Sequence, residues 1–131
     1  MFSKTFFAPL ELRSYLDIFN LGTNSIAKKF YYEADGDDLI VYPHNVSVKE
    51  LISVLKCADI PLDDVWFNYF YSVEADEIAN FKGVDVALKI VKEYNLFKNA
   101  TILYFTKDTF EIEGQLTHIE EVDKLLEICE I

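Results

Sequence analysis

The chain has 131 residues, half of them hydrophobic, with eleven Phe, eight Tyr and one Trp, and 23 acidic side chains against 12 basic ones give a formal charge of −11. That length and apolar content suit one compact domain, and only four Gly and three Pro exclude a collagenous or low-complexity chain. A field of this sign repels nucleic acid and anionic membrane.

Glu11 and Arg13 interrupt the N-terminal apolar patch before a secretory core could form, and no run approaches the ~20 apolar residues of a membrane span. A cytoplasmic protein is the expectation. Cys57 and Cys129 lie in apolar helical patterns without CxxC spacing, so both are expected as buried, reduced thiols.

Pro9 suits a first helical turn, and Leu12, Tyr15, Leu16 and Phe19 recur at helical spacing, predicting a helix over 9–21. Lys28–Glu33 and Leu39–Tyr42 are β-rich runs flanking Ala34–Asp38, where Asp35-Gly36 provides the positive φ of a tight hairpin turn. Ser47 and Glu50 form a capping box ahead of a helix over 48–58, its apolar stripe made by Leu51, Leu55 and Ala58. Val65–Tyr71 carries large apolar groups on both faces and reads as a central strand covered on both sides. Residues 73–81 give no clear pattern. Gly83 precedes a helix over 84–95 with Val84, Ala87, Leu88, Val91 and Tyr94 facing inward. Thr101–Thr106 and Phe110–Glu113 are strands around Lys107-Asp108-Thr109, and Thr117 with Glu120 makes a second capping box for a helix over 118–130. Hairpin, capping box and helix thus occur twice, with negligible identity between the copies. The elements predict a single α/β (α+β) domain, residues 1–131, with a mixed or antiparallel sheet of about five strands packed by about four helices.

The charge is unevenly placed. Residues 1–58 hold six bases and seven acids, whereas residues 59–81 hold Asp59, Asp63, Asp64, Glu74, Asp76 and Glu77 with no base. Residues 108–131 add Asp108, Glu111, Glu113, Glu120, Glu121, Asp123, Glu127 and Glu130 against Lys124 alone. On the last helix Ile119, Val122, Leu126 and Cys129 share the inward face, and Glu120, Asp123, Glu127 and Glu130 repeat about 100° away. Carboxylates so arranged repel one another, and those near the helix C-terminus also oppose the macrodipole, which a basic partner would relieve. The bland alternative is a solvated acidic face. Glu111, Glu113, Glu120, Asp123, Glu127 and Glu130, with Asp63, Asp64, Trp66, Glu74, Asp76 and Glu77, are the candidate partner-binding residues. Trp66 enters because aromatic residues dominate binding hot spots.

Neither His44 nor His118 has a second ligand at metal-site spacing, and Asp35–Asp38 lacks the spaced acids and final Glu of a calcium loop. No nucleophile elbow or phosphate loop is present. Neither a cofactor nor catalysis is expected.

In size, aromatic richness and clustered acids the chain resembles bacterial immunity proteins, including those of contact-dependent growth inhibition, and in its logic barstar, where an acidic helix blocks a basic ribonuclease. The resemblance implies an inhibitor that covers the active site of a basic, nuclease-type toxin and does not touch nucleic acid. Two further readings stand beside it: a nucleic-acid mimic directed at a restriction or CRISPR effector, which needs regularly spaced charge over a long surface, and a small-molecule binder or enzyme, which needs a deep apolar pocket with converging polar groups.

Overall fold

The computed structural model describes residues 2–22, 30–43, 47–72, 82–98 and 101–130. Among the described residues the fold is α+β, with four α-helices and a six-stranded antiparallel sheet in the order β2 (Phe30–Asp35), β3 (Asp38–Pro43), β1 (Phe2–Pro9), β4 (Trp66–Ser72), β6 (Thr109–Gln115) and β5 (Thr101–Phe105). The chain divides into two compact units, Thr5–Trp66 and a second formed by residues 1–4 with 67–131. The N-terminal strand β1 (Phe2–Pro9) supplies residues to both.

In the first unit, β1 corrects the expected helix start. Pro9 ends the strand, and α1 spans Leu12–Gly22. Phe6 and Ala8 are buried on one face of β1, opposite Val41 and Leu39 of β3 (Asp38–Pro43). Strand β2 (Phe30–Asp35) pairs antiparallel with β3 through Asp35↔Asp38, leaving Gly36 and Asp37 as a two-residue loop. Gly36 has φ +62°, and Asp37 is not among the residues with positive φ, which is the pattern of a type II′ turn. The Asn20 side chain at the end of α1 accepts the Phe30 N–H at 3.1 Å and donates to the Phe30 carbonyl at 3.0 Å, fixing where β2 begins. Ser47 caps α2 (Val48–Cys57) by accepting the Glu50 N–H at 3.3 Å, as its sequence predicts. Leu12 and Leu16 are buried as expected, but Tyr15 is exposed. Cys57, at the last turn of α2, is also exposed rather than buried as expected.

Strand β4 (Trp66–Ser72), which belongs to the second unit from Phe67 onward, lies between β1 and β6 and is the predicted central strand. Phe67, Tyr69 and Tyr71 are buried, whereas Asn68, Phe70 and Ser72 are half-buried, so only one face is closed. Helix α3 spans Val84–Glu93 and buries Val84, Ala87, Ile90 and Val91. Tyr94, expected inward, is exposed beneath the Lys124 ammonium, which sits 4.7 Å from the ring centroid. Strands β5 (Thr101–Phe105) and β6 (Thr109–Gln115) form the second hairpin, pairing Phe105↔Phe110 through Thr101↔Gly114.

The second capping box is absent. A 3-10 turn over Leu116–His118 precedes α4 (Ile119–Cys129), and the cap residue is His118, which makes no side-chain cap bond. Leu116 is fully buried, so the chain enters the helix through a tight turn that carries Thr117 away from the capping position. Helix α4 buries Ile119, Val122, Leu125 and Cys129, with Leu125 rather than Leu126 completing the inward face. Burial raises the Cys129 thiol to about 11, with Lys82 pulling the other way.

Candidate functional site

The acids of the second unit occupy two different faces. On β6, Phe110, Ile112 and Gly114 are buried and Glu111, Glu113 and Gln115 are half-exposed, because alternate residues of a strand point to opposite sides. Helix α4 covers the buried side, where its Asp123 raises the pKa of the β4 phenol Tyr69 after burial, the larger cause. Glu111 and Glu113 therefore face away from α4. The expected patch drawn from residues 108–130 is two surfaces, one on the helix and one on the open side of the sheet.

The helical surface is the denser. Glu120, Asp123 and Glu127 are exposed on α4, whereas Glu130, expected on the same helix, is exposed just past its end, where the backbone turns extended (φ −73°, ψ 139°). Glu120, Glu127 and Glu130 make no ion pair among the described residues. Partial loss of hydration raises the Asp123 carboxyl above its ordinary value, Lys4 on β1 opposes that shift, and Glu120 adds to it. The base beside them, Lys124, is turned to the Tyr94 ring. Glu121 is different in kind: its carboxylate accepts the backbone N–H of Phe97 and lies 3.7 Å from His118 Nδ1. Phe97 is buried with φ +58°, so Glu121 holds an unusual backbone conformation and belongs to the scaffold.

The sheet surface combines acids with apolar groups. Across β5 and β6, Ile102 lies opposite Glu113 and Tyr104 opposite Glu111. Ile102 and Tyr104 are 62% and 58% exposed, the large hydrophobic side chains that this unit leaves most open among the described residues. Asn68 of β4 donates to Glu111 Oε1 at 2.9 Å, which orients that carboxylate. Sequence reasoning missed Ile102 and Tyr104; alternation within Thr101–Phe105 was the available signal, but it does not say which face is uncovered.

The remaining candidates are less assembled. Asp63 and Asp64 are exposed on a 3-10 turn, Leu62–Asp64, in the first unit, followed by half-buried Trp66. Glu74, Asp76 and Glu77, like His44, lie outside the described residues.

Among the described residues no group of three or more His, Cys, Asp or Glu is placed to hold a metal ion, and no helix is long and apolar enough to cross a membrane. The first unit has an apolar groove of about 270 Å³ between α1 and α2, lined by Tyr15, Ile18, Phe19, Ser53, Val54 and Cys57. No charged group lines it, and the Ser53 hydroxyl donates to the Lys49 carbonyl at 3.0 Å within its own helix, so polar groups do not converge there. No protein-family model and no curated protein matches the chain.

Proposed function

We propose that this chain is an acidic protein-binding inhibitor, an immunity protein that neutralises a basic, nuclease-type toxin by covering its active site. The observation that supports this reading is the exposed row Glu120, Asp123 and Glu127 on α4, with Glu130 exposed just past the helix end. Seven residues separate Glu120 from Glu127, about 10 Å of helix at 1.5 Å per residue, and the expected counterpart is a cleft lined by the Lys and Arg that bind a phosphodiester backbone. Such a cleft offers cations where the stripe offers carboxylates. Complementarity of this kind raises association rates and excludes partners of like charge.

The test is inhibition. The protein encoded beside this one is expressed, assayed for nuclease activity, and titrated with this chain. Activity falling to zero at one molar equivalent supports the proposal, and undiminished activity at large excess contradicts it.

A further inference from the structure

The two strands that end the sheet are not alike. Strand β2 carries the exposed acids Glu33 and Asp35, whose charges blunt an edge against strand addition. Strand β5, Thr-Ile-Leu-Tyr-Phe, has no charge, no proline and no glycine. Its hydrogen-bonding phase follows from the hairpin. The Thr106 N–H donates to the Thr109 carbonyl at 2.8 Å, so Thr106 and Thr109 are a hydrogen-bonded pair. Because such pairs alternate along an antiparallel ladder, Tyr104↔Glu111 and Ile102↔Glu113 are hydrogen-bonded too. The backbone N–H and C=O groups of Leu103 and Phe105 therefore point away from β6, to the side where β5 ends the described sheet.

We infer that the β5 edge is a docking site for an extended segment of a basic partner, which adds to the sheet as a seventh strand with Lys or Arg at alternate positions. The inference rests on the proposed basic partner and names how part of it binds. Charge and reach select the occupant. A strand beside β5 would place alternate side chains directly against Ile102 and Tyr104, with Glu111 and Glu113 one strand beyond, about 9–10 Å from the incoming backbone at the usual strand spacing. A short or acidic side chain does not bridge that gap favourably. A Lys or Arg does: its methylene stem covers Ile102, its cation passes over the Tyr104 ring, and its head meets Glu111 or Glu113.

The test uses the full chain and two synthetic peptides of seven residues, one alternating Lys with Val and one alternating Glu with Val, titrated by fluorescence anisotropy. The basic peptide is expected to bind and the acidic one not. Leu103→Pro removes an outward N–H without removing a β5–β6 hydrogen bond, and is expected to weaken binding about tenfold or more. Ile102→Lys with Tyr104→Lys alters two largely exposed side chains and is expected to abolish binding, so the answer does not depend on the proline variant folding; circular dichroism and melting curves verify both folds. Binding that survives both variants but is lost in Glu120→Lys/Asp123→Lys/Glu127→Lys would overturn the β5 assignment and leave the basic-partner reading standing. No binding, or equal binding of the acidic peptide, would overturn the inference. A homodimer that Leu103→Pro dissociates would also overturn it, because the edge would then belong to a second copy of the chain.

Discussion

Asn68 and Glu111 are hydrogen-bonded across the open face of the sheet, the Asn68 amide donating to Glu111 Oε1 at 2.9 Å. They lie 43 residues apart in sequence, and the bond joins β4 to β6 on the side that α4 leaves uncovered. Partial burial keeps water from replacing it at no cost. Asn68→Ala is expected to lower stability by about 1 kcal/mol, as for a half-buried hydrogen bond to a charged group. Urea titration of the single and double variants with Glu111→Ala should show non-additivity, and strictly additive losses would mean that the contact contributes nothing.

Glu121 and Glu127 stand six residues apart on one helix but do different work. Glu121 accepts the N–H of buried, positive-φ Phe97, and Glu127 is exposed with no ion pair among the described residues. Glu121→Ala is expected to cost about 1–2 kcal/mol by stranding that N–H, while Glu127→Ala stays within about 0.5 kcal/mol. Denaturant midpoints of the two variants decide it, and equal midpoints would refute the division between scaffold and surface acids.

The pH dependence follows from Asp123. Its folded-state pKa lies above the ordinary 3.8, so the folded chain holds that proton more tightly than the unfolded one. Ionisation of Asp123 therefore opposes folding at neutral pH, and the opposition disappears as pH falls through the folded-state pKa. Asp123→Asn should raise the melting temperature at neutral pH, with the difference from wild type closing below about pH 4. A difference that grows as the solution is acidified would reverse this sign.

Gly114 is required by close approach. A Cβ there would lie 2.8 Å from Thr101 Oγ1 and 3.2 Å from the Phe67 ring. Gly114→Ala is expected to cost about 1–3 kcal/mol through overpacking. Adding Thr101→Ala removes the nearest atoms and should restore part of that loss in thermal melts; no restoration would place the strain elsewhere.

Most elements were legible in the sequence because their periodicities were clean. Leu51 and Leu55 marked α2, and Lys107-Asp108 separated the strands of the second hairpin. Strand β1 was not, because Phe6 and Phe7 put aromatic groups on both faces and hid the alternation, while Pro9 resembled a helix start. Leu125 and Leu126 are adjacent, so the sequence could not choose which one turned inward without knowing what α4 packs on. The same limit applies to the acids. Helical spacing placed Glu120, Asp123 and Glu127 on one exposed side but also carried the helix one residue too far, to Glu130, and strand alternation alone could not say that Glu111 and Glu113 face away from them.

The most direct test of the acidic surface is capture by wild-type chain and by the Glu120→Lys/Asp123→Lys/Glu127→Lys variant, at low and high salt, with mass spectrometry of what elutes. The account predicts a basic, nuclease-type protein held by the wild type at low salt, released at high salt, and not captured by the variant. Equal recovery of that protein by both chains, or no salt-sensitive basic partner at all, would contradict it.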